Sequence, residues 1–295
     1  MRVNPDPYPD LLSAVATTQQ QINTDEQEIA SGQSVNVPSD NPAAAADLVQ
    51  NADQTSQADQ FERSVGSIQG EIQNADSALN SVITALQQAI SLGVEGANGT
   101  VNSADRTAIA TQVQGIQSQL LSLANLTYQG NYVFAGTATQ TAPYVLDATS
   151  PSGVSYVGNS GVNSVTLGNE FSLQTNLPGS QLFSASATDM FQSIQDLING
   201  LQSGTNISAA VTELGSSLNS IDTQRVFYGN ALNQLNTQQT YLSGETTQLA
   251  QQQSTIGGAD LPAVISNLTN SQTALQATLE SMGQNAQIDL FDYLK

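Results

Sequence analysis

Carboxylates are the side chains with which this chain could do chemistry. Asp189, Asp196, Glu213 and Asp222 fall within one stretch, and two carboxyl groups held a fixed distance apart can act as acid and nucleophile in glycoside hydrolysis. The four lie in helical stretches with no aromatic cleft nearby, where acidic side chains ordinarily form a solvated face. The chain has no histidine and no cysteine. Imidazole bases, Ser-His-Asp and Cys-His arrangements, thiolate nucleophiles and nearly all structural zinc sites are thereby excluded. The expectation is a protein that is not an enzyme, with no catalytic residue, no cofactor and no metal site.

Charge limits the partners. Twenty-five acidic residues face Arg2, Arg63, Arg106, Arg225 and Lys295, a formal net charge of −20. Phosphate repels such a surface, so neither nucleic acid nor an anionic membrane is an expected partner. Copies that pack together must have their like charges screened, which happens beyond about 10 Å at roughly 0.1 M salt. Arg63, Arg106 and Arg225 are each expected to form a salt bridge inside a helical bundle, Arg225 replacing an apolar rung.

These groups ride on elements that a hydrophobic repeat defines. From Ala58 the apolar positions step by three and four through Phe61, Val65, Ile68, Ile72, Ala75, Leu79, Val82, Leu86 and Ala89. The repeat resumes at Ile109, Val113, Ile116, Leu120 and Leu123, and a third series runs from Ile207 through Leu214, Ile221, Tyr228, Leu235 and Leu242 to Ile256. A period of 3.5 puts one apolar seam on each helix and winds helices together left-handedly. The spacing predicts a helix from about Pro42 to Leu92, broken by Gly93, Gly96 and Gly99, and a second from Ser103 or Asp105 to about Thr127. Ser39 or Asp40 is expected to cap the first, with a proline near its first turn.

Between Tyr128 and Phe183 the period changes to two and turn residues recur every few positions. Tyr132 to Phe134, Tyr144 to Leu146, Val154 to Val157, Val165 to Leu167 and Phe171 to Leu173 read as short strands. A helix is expected from Thr188, with Phe191, Ile194, Leu197 and Leu201 on one face. Weaker seams stand at the two ends. The first is Leu11, Val15, Ile22 and Ile29, with Thr18 and Asp25 at the other seam positions. The last is Leu261, Ile265, Leu268, Leu275, Leu279 and Met282, followed by an apolar and acidic tail. The fold class is therefore mainly α with a small all-β insert, a long antiparallel coiled-coil and helical bundle built from N- and C-terminal segments. Residues 1–10 have no basic and apolar leader of the secretory type, and no window is apolar enough to span a bilayer.

Several motifs resemble those of a known family. Ser31-Gly32, then Val35-Asn36 and Pro38-Ser39-Asp40-Asn41-Pro42-Ala43-Ala44, is similar to the N-terminal motif of the flagellin superfamily. Gly130-Asn131-Tyr132-Val133-Phe134-Ala135-Gly136-Thr137, the following Thr141-Ala142-Pro143-Tyr144, and the ending Leu290-Phe291-Asp292-Tyr293-Leu294 resemble the hook-filament junction members of that superfamily rather than those that form the filament. Gln33-Ser34 stands where two basic residues are usual, and residues 1–10 are proline-rich where a short polar and apolar lead-in is usual.

The resemblance implies a hairpin-like flagellin architecture. Residues 1–41 with 257–295 would form an inner coiled-coil assembly domain, 42–128 with 188–256 a helical bundle, and 129–187 an outward-facing β insert. It implies a structural adaptor in the bacterial flagellum, joining hook-side axial proteins to the filament; the second reading is a filament-forming flagellin variant. The partners implied are other copies in a ring, a hook-side hook-associated protein, the flagellin filament and a flagellar export chaperone. The location implied is extracellular, after type III export without a cleaved signal peptide. The residues expected to carry assembly are Leu11, Val15, Ile22, Ile29, Ser39, Asp40, Asn41, Pro42, Leu261, Ile265, Leu268, Leu275, Leu279, Leu290, Phe291 and Leu294.

Overall fold

A computed structural model describes residues 8–168, 171–185 and 188–293. Helices α1 (Tyr8–Ser31), α2 (Pro42–Gly96) and α3 (Ser103–Ala124) precede six short strands. These are β1 (Thr127–Tyr128), β2 (Asn131–Tyr132), β3 (Tyr144–Leu146), β4 (Val154–Tyr156), β5 (Ser164–Thr166) and β6 (Ser172–Gln174). The short α4 (Gly179–Leu182), β7 (Ser184–Ala185) and β8 (Thr188–Asp189) then lead into α5 (Met190–Ser203), α6 (Ile207–Gly257) and α7 (Leu261–Tyr293). Among the described residues the strands pair only with their sequence neighbours, as four antiparallel two-stranded ribbons. The mainly helical class with a small β insert is thus observed. Two compact units result: residues 1–57 with 244–295, and residues 58–243. The divisions fall inside α2 and α6, away from the connections at 32–41 and 258–260.

In the 58–243 unit the seven-residue repeat is the core. Val65, Ile72, Ala75, Leu79, Val82, Leu86 and Ala89 of α2 are wholly buried, together with Val113 and Leu120 of α3 and Leu214 and Leu235 of α6. Burying one such side chain stabilises the fold by about 1.5–3 kcal/mol. Arg225 takes one seam position on α6 and makes a two-pronged ion pair with Asp76, Nε to Oδ1 at 2.6 Å and Nη2 to Oδ2 at 2.9 Å, while Nη1 donates to Asn80. Among the described residues, the expected salt bridge exists at Arg225 alone. Arg106 donates Nη1 to the Val101 carbonyl at 2.6 Å, and Arg63 makes no ion pair.

The glycines at 93 and 96 do not break α2. They are where other helices approach closely. A Cβ on Gly93 would meet Val211 Cγ2 at 2.5 Å and Leu197 Cδ1 at 2.9 Å, and one on Gly96 would collide with Leu201. The helix ends only after residue 96, and Asn102, not Ser103 or Asp105, caps α3 by accepting the Asp105 amide hydrogen at 2.9 Å. Asp189 likewise caps α5, accepting from the Phe191 and Gln192 amides, so α5 begins two residues later than the repeat predicts.

The β insert is anchored to this unit by aromatic packing and one asparagine. Tyr144 stacks on Tyr156, Phe183 and Phe191, and Phe183 meets Phe134 edge-on at 5.3 Å. Asn125, just past α3, donates to the Tyr144 carbonyl at 2.7 Å and accepts from its amide at 2.9 Å. An amide side chain thus replaces a strand neighbour for β3. Gly66 and Gly93 give the test of close packing. Gly66→Ala, with open space around its Cβ, should stabilise the unit by up to about 1 kcal/mol. Gly93→Ala should destabilise it by about 1–3 kcal/mol through overpacking, both read by thermal unfolding.

Candidate assembly surface

The unit formed by residues 1–57 and 244–295 is organised around α1 and α7. The two chain segments meet where Gln33 forms an antiparallel bridge with Gly258. The Ser34 amide donates to the Gly257 carbonyl at 2.8 Å, and the Ala259 amide to the Gly32 carbonyl at 3.0 Å. Gly32 has φ of +69°, a left-handed conformation that closes α1 and that other residues adopt only with strain. From this crossing α1 and α7 run antiparallel.

Burial shows the seam between them. On α1 the shielded positions in step are Leu11, Val15, Thr18, Ile22, Asp25 and Ile29, flanked by half-buried Thr24 and Glu28, and on α7 they are Val264, Leu268, Ser271, Leu275, Thr278 and Met282. The two series have matching spacing of three and four residues. Matched in antiparallel order, Ile29 meets Val264 and Leu11 meets Met282, but each of the four inner layers sets a polar side chain against an apolar one. Asp25 is the extreme case. It is 3% exposed, its Oδ1 accepts from Gln21 at 2.9 Å, and its Oδ2 has no hydrogen-bond partner. A buried polar atom left so costs about 1–3 kcal/mol.

The expected interface residues divide between this seam and other surfaces. Leu11, Val15, Ile22, Ile29, Leu268 and Leu275 line the contact within one chain. Leu261, Ile265 and Leu279 do not. They are 40%, 53% and 52% exposed, Ile265 and Leu279 each one residue past a seam position and separated along the helix by Thr269, Gln272 and Gln276. Leu12 is similarly exposed on α1. Val264, Ser271 and Thr278 stand three residues after Leu261, Leu268 and Leu275, at the second seam position of the heptad, which apolarity alone does not mark because two of the three are polar. Leu290 and Phe291 belong to the backbone of α7, their side chains lying outside those described, and Leu294 lies outside the described residues.

Ser39, Asp40, Asn41 and Pro42 are all exposed. The cap of α2 is Asn41, whose Oδ1 accepts from the Ala44 amide at 3.1 Å, not Ser39 or Asp40. Asp40 instead turns back, its Oδ2 accepting from the Asn36 and Val37 amides. This fastens the loop before α2 to itself, with Pro42 as the first helical residue. Behind the loop a groove of about 520 Å³ is lined by Gly32, Gln33, Leu48, Val49, Ser254 and Gly258, among others. Nearby, Asn51 is buried between α2 and α6 and donates to the Leu249 carbonyl at 3.1 Å. An interior amide of this kind sets the register of two helices at some cost in stability.

Glu28, near the end of α1, has its carboxyl raised above the ordinary range, first by burial and then by the charges of Asp25 and Asp40. Asp189 is engaged as a helix cap, and Asp196 accepts two hydrogen bonds from Gln192. The carboxylates singled out for glycosidase chemistry therefore include two with local structural roles. Asp196 and Glu213 do share a polar cleft with Asn199, Ser203 and Asn206.

Residues 8–139 match the family model for the bacterial flagellin N-terminal helical region. The chain is similar to flagellar hook-associated protein 3 of Escherichia coli (strain K12), 29% identical over 91% of this chain and 92% of that protein. A second similarity, 33% over 138 residues, is to flagellar hook-associated protein 3 of Salmonella typhimurium strain LT2, covering 46% of this chain and 44% of that one. The fold is similar to the crystal structure of Bacillus cereus FlgL (TM-score 0.61, 20% identity, covering 70% of this chain and 99% of that one). It is likewise similar to the flagellar junction protein FlgL from Legionella pneumophila (TM-score 0.61, 14% identity, 71% and 99% covered).

Two outcomes follow from the polar seam. Asp25→Leu should raise the stability of the α1–α7 pair by about 1–3 kcal/mol, read as slower amide exchange in both helices. Glu28 is harder to ionise in the fold than in the open chain, so its contribution favours the fold at acid pH and is lost as pH rises through the raised pKa. Glu28→Gln should therefore slow exchange in α1 at pH 7, the difference from the parent disappearing below about pH 4.

Proposed function

We propose that this chain is a structural component of the bacterial flagellum, an adaptor that joins hook-side axial proteins to the flagellin filament. The observation that carries the reading is its similarity to flagellar hook-associated protein 3 along nearly the full length of both chains. Three exposed apolar side chains on α7 support it from the physical side. Leu261, Ile265 and Leu279 are large, apolar and uncovered in one copy, and apolar surface removed from water drives association.

In this reading no bond is made or broken. The bundle of residues 42–128 and 188–256 is a prefolded body, the β insert of 129–187 faces outward, and residues 1–41 with 257–295 form the inner coil. Its four mixed layers make that coil weak alone, and burial of Leu261, Ile265 and Leu279 against neighbouring copies in a ring supplies what the seam lacks. Non-identical surfaces let one chain meet a hook-side hook-associated protein and the filament. Its route is flagellar type III export with no cleaved signal, and the tail from Leu290 to Leu294 is the grip for an export chaperone or a neighbour. Ser39 to Pro42, exposed beside the crossing, are available to touch the next copy.

Deleting the gene should leave intact hooks while flagellin escapes unpolymerised into the medium. Long polymers of the purified protein at moderate salt would instead indicate a filament former. Because Leu268 lies in the seam within the chain, the cleaner surface test is Ile265→Asp with Leu279→Asp. Helicity and thermal unfolding of the isolated chain should stay near those of the parent, since both positions are exposed, while attachment of filament to hook is lost. Normal filaments on cells carrying the double change would exclude these two side chains as an assembly surface.

A further inference from the structure

Two groups in the seam between α1 and α7 lack hydrogen-bond partners, and they sit one layer apart. The Oδ2 of Asp25 is buried without a donor. The hydroxyl of Ser271, half-buried on α7, makes no hydrogen bond among the described residues. Layer by layer, Asp25 lies against Leu268 and Ser271 against Ile22, then Thr18 against Leu275 and Thr278 against Val15.

The crossing imposes that register. With Gln33 bridged to Gly258, Ile29 stands four residues before the bridge and Val264 six after it, so these two form the first layer. The bonds from Ser34 to Gly257 and from Ala259 to Gly32 hold it there. Side-chain chemistry favours another register. If α7 moves one layer toward the crossing, about 5 Å along its axis, Ile29 faces Leu268, Asp25 faces Ser271, Ile22 faces Leu275, Thr18 faces Thr278 and Val15 faces Met282. Every one of these layers sets like against like. The Ser271 hydroxyl then meets the unpartnered oxygen of Asp25, and a hydrogen bond to a charged group is among the stronger kinds. Thr18 and Thr278 already donate to their own helices, at 2.9 Å to Ala14 and 2.8 Å to Ala274, so their layer closes through methyl groups. Leu11 and Val264 lose their present partners, yet three apolar layers, at Ile29, Ile22 and Val15, stand where there were two, at Ile29 and Leu11.

We propose that α1 and α7 have two registers one layer apart, that the crossing holds the lone chain in the mismatched one, and that burial of the pair among neighbouring copies shifts it to the matched one. The last step rests on the reading that copies of the chain assemble at the junction. One-turn shifts of a packed helix past its neighbour are discrete because interdigitated side chains have few resting positions. Neighbouring copies supply the bias. Thr18, Ser271 and Thr278 still reach water in the lone chain, and a polar group set against an apolar one costs more once that water is excluded.

The chain has no cysteine, so paired cysteines report the register. Thr18→Cys with Leu275→Cys closes in the mismatched register, and Thr18→Cys with Thr278→Cys in the matched one. In the isolated chain only the first pair should form a disulfide on mild oxidation. Four residues of glycine and serine inserted between Ala259 and Asp260 release α7 from the crossing, and the second pair should then close in place of the first. An extended chain that still closes the first pair would overturn the two registers, whatever the protein's role. In intact flagella the second pair should close in chains of normal length; closure of the first, or a disulfide between copies, would overturn the shift on assembly. Asp25→Leu separates register from stability, since the new side chain faces Leu268 in the mismatched register and Ser271 in the matched one. It should hold even the extended chain in the first register and raise unpolymerised flagellin in the medium, although it stabilises the lone pair. Normal filament attachment by that variant would also overturn the shift. A deletion strain that keeps its filaments would instead overturn the junction reading and leave the extended-chain result standing.

Discussion

Burial of a heptad seam is the interaction on which the rest depends. From Ala58 to Ala89 the apolar positions of α2 keep step with those of α3 and α6, and nearly every one is shielded from water. Each Val, Leu or Ile among them is worth about 1.5–3 kcal/mol against exposure, enough to hold a body with little aromatic content. Everything else in the 58–243 unit uses this frame. Gly93 and Gly96 let helices close on it, Arg225 replaces one rung with an ion pair, and Asn125 with the aromatic cluster fastens the β insert to it.

The terminal seam obeys the same geometry with different chemistry. Its spacing is as regular as that of the bundle, but Thr18, Asp25, Ser271 and Thr278 interrupt its apolarity. A regular period with polar residues in it specifies where helices meet without making the meeting strong. Such a coil gains by having further apolar area to bury, and the exposed Leu261, Ile265 and Leu279 offer some. Weakness within one copy and an apolar face outside it are two aspects of one arrangement.

Net charge works against that arrangement. A chain of net charge −20 gains little from meeting itself unless a few cations are well placed. Two of the three described arginines have partners inside the chain, and the third, Arg63, lies exposed. Scarcity gives a single exposed side chain weight that it would lack on an ordinary mixed-charge surface.

The sequence by itself determined the periods, and with them the helices, the β insert and the resemblance to the superfamily, because side-chain spacing is a local property that backbone geometry converts directly into faces. It also determined the α1 seam, including Thr18 and Asp25. Tertiary structure alone decided which face of α7 meets α1, because apolarity is a poor guide on a helix where Ile265 points outward and Ser271 inward. It decided that Gly93 and Gly96 admit neighbouring helices rather than end one, since a glycine's role depends on what approaches it. It decided too that Asp40 fastens its own loop while Asn41 caps α2, a choice between adjacent acceptors that rests on the direction of a few amide hydrogens.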